Sequence, residues 1–234
     1  MSGYKPDDLV LEMVADIYED HEIREYGFDP IQLCKEMGHL VLPYSSFSED
    51  LKENRPDLLM KLDKDGFSWF NPKTKKCEIY YNNNRSPRLR YKFTIPHELG
   101  HIEFGHVFEE KITADMEYVA NEFARQLYVP HIILVKKKIL TLHEVMSAFD
   151  ITITYADIVL ERLDNRLKYQ GDEFSEQEYR ILKAFDYNRN RNRLFWVIKN
   201  AGIIGVIPAR HVVWTTSNIV ILAWRDLNSP SFWW

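Results

Sequence analysis

The stretch His97-Glu98-Leu99-Gly100-His101 decides how this chain is interpreted, because its spacing predicts both a helix and a metal site. On an α-helix, residues four apart lie one turn apart on the same face, so both imidazoles can reach one metal ion. Glu98 lies beside them, placed to act on a water molecule rather than to bind the ion. Zinc suits such ligands, and a catalytic zinc site needs a third protein ligand and an open fourth position.

The third ligand is predicted to come from the next helix, in the segment Glu117-Tyr118-Val119-Ala120-Asn121-Glu122-Phe123-Ala124. Glu117, Ala120 and Asn121 share one face at helical spacing, and the small Ala120 permits a close approach to the first helix. Glu117 is therefore the predicted third zinc ligand. Asn121, one turn further on, is predicted to orient a ligand histidine without binding the metal itself.

Other acidic and imidazole side chains near the motif are weaker candidates for the third ligand. Glu122 is expected to face solvent, away from the apolar stripe of its helix. His106 follows His101 by five residues, one fewer than in the longer metzincin signature. Glu103 and Glu109 follow on the same or the next helical turn and are expected not to swing back. Glu117 is preferred over all of them.

Apolar periodicity and turn signals predict a mainly helical chain with a small β-sheet. A short strand is predicted at His39–Tyr44, and turn formers between Gly66–Phe70 and Cys77–Tyr81 predict a hairpin. The loop Ser45–Asp65 separates them. The predicted helices are Pro6–His21, Pro30–Met37 with Asp29 as N-cap, Ser86–Phe104, Asp115–Tyr128, Ile132–Leu140, Thr141–Phe149 and Thr154–Leu167.

The character of the sequence changes after Gly171. We predict two parts, a catalytic domain at residues 1–170 and a small accessory α/β region of unknown role at residues 171–234. The second part begins with an amphipathic helix at Phe174–Asn188, followed by a short basic turn at Arg189–Arg193. The β-like runs that follow are Leu194–Ile198, Ile203–Ile207, His211–Thr215 and Ile219–Trp224.

The bulk composition excludes several classes of protein. The formal net charge of −5 argues against direct nucleic-acid binding through a strongly basic surface. Two cysteines, Cys34 and Cys77, are too few for a disulfide scaffold and indicate free thiols in a reducing compartment. The amino-terminal residues lack the pattern of a secretory signal, and no apolar run has the length of a membrane span. These features predict a cytoplasmic protein.

The motif, followed by Glu117-x-x-Ala120-Asn121-x-Phe123-Ala124 and the Leu127-x-x-Pro130 ending, resembles the ImmA/IrrE family of zinc metallopeptidases. The resemblance covers roughly residues 5–170 and implies an α+β, zincin-like metallopeptidase domain. It also implies a regulatory protein as substrate, since members are commonly found beside helix-turn-helix repressors that they cleave, in stress responses or mobile genetic elements. One departure from the family pattern is Pro96, directly before His97. The proline is harmless if the motif helix begins near Pro96, whereas a bend is expected if the helix begins at Pro87.

Two other functions stay open from the sequence. The first alternative is a zinc-binding regulatory or protein-interaction module without proteolytic activity. The second is a metal-dependent hydrolase that acts on a small amide or ester. Glu98 separates the first alternative from a peptidase, because metal binding does not need it whereas hydrolysis does. A long substrate groove would exclude the second. Tyr91, Tyr128 and His131 are candidates for a further donor to the developing oxyanion, and none of them is assigned.

Overall fold

The computed structural model describes residues 6–47, 65–84, 87–171, 173–186, 212–216 and 219–223. Its helices are α1 Pro6–Asp20, α2 Pro30–Glu36, α3 Tyr91–Glu103, α4 Ala114–Tyr128, α5 His131–Lys137, α6 Leu142–Phe149, α7 Ile153–Gln170 and α8 at 176–186. Its strands are β1 Leu40–Pro43, β2 Gly66–Asn71, β3 Lys76–Tyr81, β4 Val212–Thr216 and β5 Ile219–Ala223. Short 3-10 turns lie at Tyr44–Ser46, Arg88–Arg90 and His106–Phe108. The predicted α+β class, mainly helical with a small sheet, is confirmed.

The sheet that carries one wall of the site contains β1, β3 and β2, in that order. β1 runs parallel to β3, and β2 pairs with β3 in antiparallel register from Gly66 opposite Tyr81 to Asn71 opposite Lys76. The turn is closed locally, because the Asn71 side-chain oxygen accepts a hydrogen bond from the Lys73 amide at 3.0 Å. The predicted hairpin is therefore confirmed, and β2 forms an edge of this sheet as described.

Helix α4 lies at the centre of the helical layer. Its core face carries Ala120, Phe123 and Leu127, all fully buried. Two buried hydroxyls fix its last turns, since Tyr18 donates to the Leu127 carbonyl oxygen at 3.0 Å and Tyr155 donates to the Ala124 carbonyl oxygen at 3.2 Å. Helices α1 and α7 thus hold α4 from two sides, which fixes the position of any ligand that α4 carries. Among the described helices, none is both long enough and apolar enough to cross a bilayer.

The starts of several helices follow the local signals in the sequence. The Asp29 side chain accepts a hydrogen bond from the Ile31 amide at 2.9 Å, as expected of the predicted N-cap of α2. The motif helix differs from the prediction, because the segment from Arg88 begins as a 3-10 turn and the α-helix starts at Tyr91. Pro96 is therefore the sixth residue of α3, where its missing N–H removes one intrahelical bond.

Helix α8 packs against the first part of the chain. The Arg180 guanidinium donates to Glu12 at 2.6 Å, to Asp16 at 2.6 Å and to Glu19 at 2.7 Å, all on α1. Ile181 from the same helix is fully buried in the main core. The chain forms two compact units, Met1–Asn188 and Arg189–Trp234, so α8 belongs to the first unit.

The second unit contains β4 and β5, which pair in antiparallel register. Two of the predicted β-like runs, His211–Thr215 and Ile219–Trp224, overlap these strands. The accessory role of residues 171–234 stays a prediction. The basic turn Arg189–Arg193, the runs Leu194–Ile198 and Ile203–Ile207, and residues 48–64 of the predicted loop lie outside the described residues.

Candidate metal centre

Helices α3 and α4 bring the three predicted metal ligands together. The Nε2 atoms of His97 and His101 lie 3.2 Å apart, one helical turn from each other on α3. The Glu117 carboxylate, from the first turn of α4, places Oε2 at 3.5 Å from His97 Nε2 and Oε1 at 3.7 Å from His101 Nε2. All these ligand atoms lie within 4.8 Å of one another. The group therefore presents two imidazoles and one carboxylate to a single point.

This arrangement fits a tetrahedral zinc ion. With ligand bonds of about 2.0–2.1 Å, tetrahedral angles separate the ligand atoms by roughly 3.3 Å, close to the distances between these side chains. One of the donors, His101, is also in the protonation state that a metal requires. Burial, reinforced by the neighbouring His97 and His106, lowers the pKa of His101 to about 3, so its imidazole is neutral and keeps a lone pair for a metal.

Gly100, between the two histidines, allows α4 to approach α3 closely. A Cβ atom at this position would lie 2.9 Å from the Phe123 ring and 3.2 Å from the Ala120 Cα. The second contact is with backbone, which cannot move aside as a flexible side chain can. The glycine and Ala120 thus set the distance between the helices, and that distance places Glu117 opposite the histidines.

We expect Gly100→Ala to weaken zinc binding as well as the fold. The added methyl group must push α4 away from α3, at a cost of about 1–3 kcal/mol in the free energy of unfolding. If about 1.4 kcal/mol of that strain opposes the zinc-binding arrangement, the zinc dissociation constant rises about tenfold. The measurement is a competition titration with a chromophoric chelator, beside thermal unfolding.

Gly38→Ala is the matched control, because Gly38 has a positive φ of 89° but open space where a Cβ atom would lie. That variant should lose stability through backbone strain and keep its zinc affinity. Equal zinc affinity in both variants would contradict the role assigned to Gly100.

A cavity of about 290 Å³ opens beside the three ligands. Its wall includes Glu98, which is buried, together with the first residues of β2, Gly66–Ser68. The lining also includes residues of the turn after α3, among them the exposed Glu109 and Glu110. The structure therefore places the predicted general base in the same cavity as the predicted ligands, next to an edge strand.

His106 contacts one of the ligands of this centre, which its position in the sequence did not indicate. His106 is buried and is not one of the three grouped ligands. Its Nδ1 atom instead lies 3.0 Å from the Nδ1 atom of His101, on the side of that ring away from His97. Counting residues along the motif excluded His106 as a ligand but did not test it as a partner of one. The signal in the sequence was the preceding Gly105, which ends α3 and turns the chain back.

The expectation that Glu122 faces solvent was wrong. Its side chain is only 13% exposed, and its carboxylate accepts hydrogen bonds from Arg125 at 2.6 Å and from Gln126 at 2.9 Å. The adjacent guanidinium and these hydrogen bonds outweigh burial and lower the pKa of Glu122. The error arose because the apolar stripe of α4 does not reveal that α1 and α7 also cover its polar side. Glu122 is not in the ligand group, lines a different cavity and is therefore not an alternative to Glu117.

The remaining candidates from the sequence lie elsewhere or stay predictions. Tyr91, Tyr128 and His131 do not line the cavity beside the ligands. His131 is buried next to Gln126 and lines a separate cavity of about 620 Å³ between α1, α4 and α7. Asn121 is half-buried on α4, and its proposed role in orienting a ligand histidine stays a prediction.

Part of the chain matches a known protein family. Residues 58–157 match a peptidase family model described as the IrrE N-terminal-like domain. The matched segment contains the β2–β3 hairpin, both histidines of the motif and Glu117. No curated protein matches the chain.

Proposed function

Because residues 58–157 match the IrrE N-terminal-like peptidase domain, we propose that the chain is a zinc-dependent endopeptidase of the ImmA/IrrE type that cleaves a regulatory protein, such as a helix-turn-helix repressor. The observation that supports this most directly is the convergence of His97, His101 and Glu117 beside a cavity that also contains Glu98. The three grouped side chains are the proposed zinc ligands. Binding zinc alone would not require a second, buried carboxylate at this position, whereas hydrolysis needs a general base there.

Three residues are proposed to bind the metal ion, and Glu98 is proposed to transfer protons. His97, His101 and Glu117 would hold the zinc ion, which would supply a Lewis acid and lower the pKa of a water molecule. Glu98 accepts a proton from the attacking water and delivers it to the leaving amine of the cleaved peptide bond. Glu98 is buried, lines the same cavity as the three ligands and is not itself one of the grouped ligand residues.

The edge strand β2 favours an extended polypeptide over a small amide or ester as substrate. In the described sheet β2 pairs with β3 on one side, and its residues Gly66–Ser68 line the cavity. An extended peptide can add to such an edge through main-chain hydrogen bonds, which holds it alongside the ligands independently of its sequence. This supports hydrolysis within a flexible segment of a protein.

The acidic wall of the cavity supports a basic substrate segment. Glu109 and Glu110 are exposed there, and neither belongs to the ligand group. Exposed carboxylates beside a binding site attract cationic residues, most strongly at low ionic strength. Helix-turn-helix repressors carry such residues on the surface that meets DNA, which agrees with a substrate of this class.

The test combines metal analysis with a cleavage assay. We expect one zinc per purified chain by elemental analysis, and cleavage of a co-purified or genetically adjacent repressor into two fragments by mass spectrometry. A chelator should abolish cleavage and added zinc should restore it. A chain that takes up no zinc at neutral pH would overturn the proposal. Zinc binding without cleavage of any unfolded or repressor-like protein would instead support a binding module.

A further inference from the structure

We propose that His106 is a positioning residue, which accepts a hydrogen bond from His101 and so holds this ligand in the orientation and tautomer that zinc binding needs. The inference rests on the proposed zinc site and goes beyond its three ligands. It assigns a role to a buried imidazole that the chemistry of hydrolysis does not use.

The geometry divides the two ring nitrogens of His101 between two partners. Its Nε2 atom faces the other ligands, 3.2 Å from His97 Nε2 and 3.7 Å from Glu117 Oε1. Its Nδ1 atom faces His106, with 3.0 Å between the two Nδ1 atoms. That is the normal distance of a nitrogen–nitrogen hydrogen bond, and both rings are buried. One ring edge thus binds metal while the other is held by the protein.

Counting protons fixes the direction of this bond. A neutral imidazole that offers the lone pair of Nε2 to a metal carries its proton on Nδ1. His101 is therefore the donor, and the Nδ1 atom of His106 must be the acceptor. His106 then carries its own proton on Nε2. Both tautomers are determined by the metal site, because in the opposite pair His106 would donate to His101 and the proton of His101 would lie on Nε2, where a lone pair is needed for the metal.

The turn after α3 builds this contact. Gly105 has a positive φ of 72°, and its amide donates to the Ile102 carbonyl oxygen at 2.9 Å. This left-handed residue reverses the chain, so the next side chain lies back under the last turn of the helix. The ring of Phe104 stacks on the His106 ring at 6.0 Å between centroids. The acceptor is therefore held in place before any metal arrives.

Partners of this kind set the orientation of ligand histidines and increase their basicity, and losing one costs about 10–100-fold in metal affinity. A carboxylate or a backbone carbonyl usually fills this position. Here the acceptor is a neutral imidazole, which adds no charge to the site. The ligand group therefore keeps a single formal negative charge, from Glu117.

The experiment compares His106→Leu with His106→Asn in the full chain. Leucine fills the space without an acceptor, whereas the asparagine Oδ1 atom stands close to the position of the histidine Nδ1. We expect the zinc dissociation constant, from chelator competition, to rise about 10–100-fold in His106→Leu and to return to within a few-fold of wild type in His106→Asn. The visible absorption of the cobalt-substituted protein should change in the leucine variant and be restored in the asparagine variant. His143→Asn, at an exposed position on α6, is the control.

Unchanged zinc affinity in His106→Leu would overturn the inference, and so would equal losses in both variants, which would indicate packing alone. If the leucine variant does not fold, the inference is tested instead on the tautomers of the two histidines in the wild-type protein. Long-range ¹H–¹⁵N spectra of the zinc form should show a proton on Nδ1 of His101 and on Nε2 of His106. A proton on Nδ1 of His106 would overturn the inference that His106 is the acceptor. If the wild-type chain bound no zinc, the proposed function itself would be overturned. Failure of the proposed function is thus distinguishable from failure of the role proposed for His106.

Discussion

Replacing Glu98 with glutamine should leave one zinc per chain and lower kcat by about 10²–10⁴-fold. The amide has almost the shape of the carboxylate, so the cavity and the three ligands are preserved. It cannot accept a proton, however, so the attacking water loses the general base proposed for it. The zinc content separates this outcome from damage to the metal site.

The measurement is single-turnover cleavage of the substrate by zinc-loaded protein, because single turnover excludes product release from the rate. Glu103→Gln is the matched control, since Glu103 ends the same helix and its carboxylate lies 3.4 Å from His39 instead of lining the cavity. The control should cleave at nearly the wild-type rate. A Glu98→Gln protein that does so as well would show that Glu98 is not the base.

The metal ligands could be predicted from the sequence because their arrangement is mostly local. Helical periodicity alone places His97 and His101 one turn apart, and the structure reproduces this directly. Glu117 required one further step, the inference that α4 packs on α3 through small residues. Ala120 and Gly100 carry that information in the sequence, and the structure brings them into close approach beside the site.

The hairpin and the helix caps were predictable for the same reason. The turn at Asn71 is closed by its own side chain, and Asp29 caps α2 through a bond to a residue two positions away. Such interactions depend on neighbours in the chain and not on the fold. They are therefore readable before the arrangement of the helices is known.

What the sequence could not provide depends on contacts between distant segments. Glu122 was expected to face solvent because it lies away from the apolar stripe of α4, but residues of α1 and α7 line the same cavity as Glu122. The attachment of α8 rests on Arg180 and the carboxylates of α1, more than 160 positions away. Neither contact has a local signature. The hydrogen bond between His101 and His106 is an intermediate case, since it spans five residues and depends on the backbone conformation of Gly105.

Replacing Glu117 with glutamine should have the largest effect on zinc affinity of any single change on α4. The loss should exceed the roughly 10–100-fold attributed to the partners of ligands, because a ligand itself is altered. Two effects act together. The amide oxygen carries no full negative charge to attract the cation, and two neutral imidazoles then hold the ion with two protein bonds instead of three.

The measurement is again competition with a chelator at fixed pH, with cleavage followed in parallel at rising zinc concentrations. Asp115→Asn is the control, because Asp115 lies in the same first turn of α4 and is exposed. Both variants remove one negative charge from the helix N-terminus, so any general effect on the helix or on the field around the site is common to them. Only Glu117→Gln should lose zinc, and an excess of zinc should restore part of its activity, since Glu98 is still present. Equal zinc affinity in the two variants would show that the two histidines bind metal without Glu117, and the third ligand would have to be sought elsewhere in the chain.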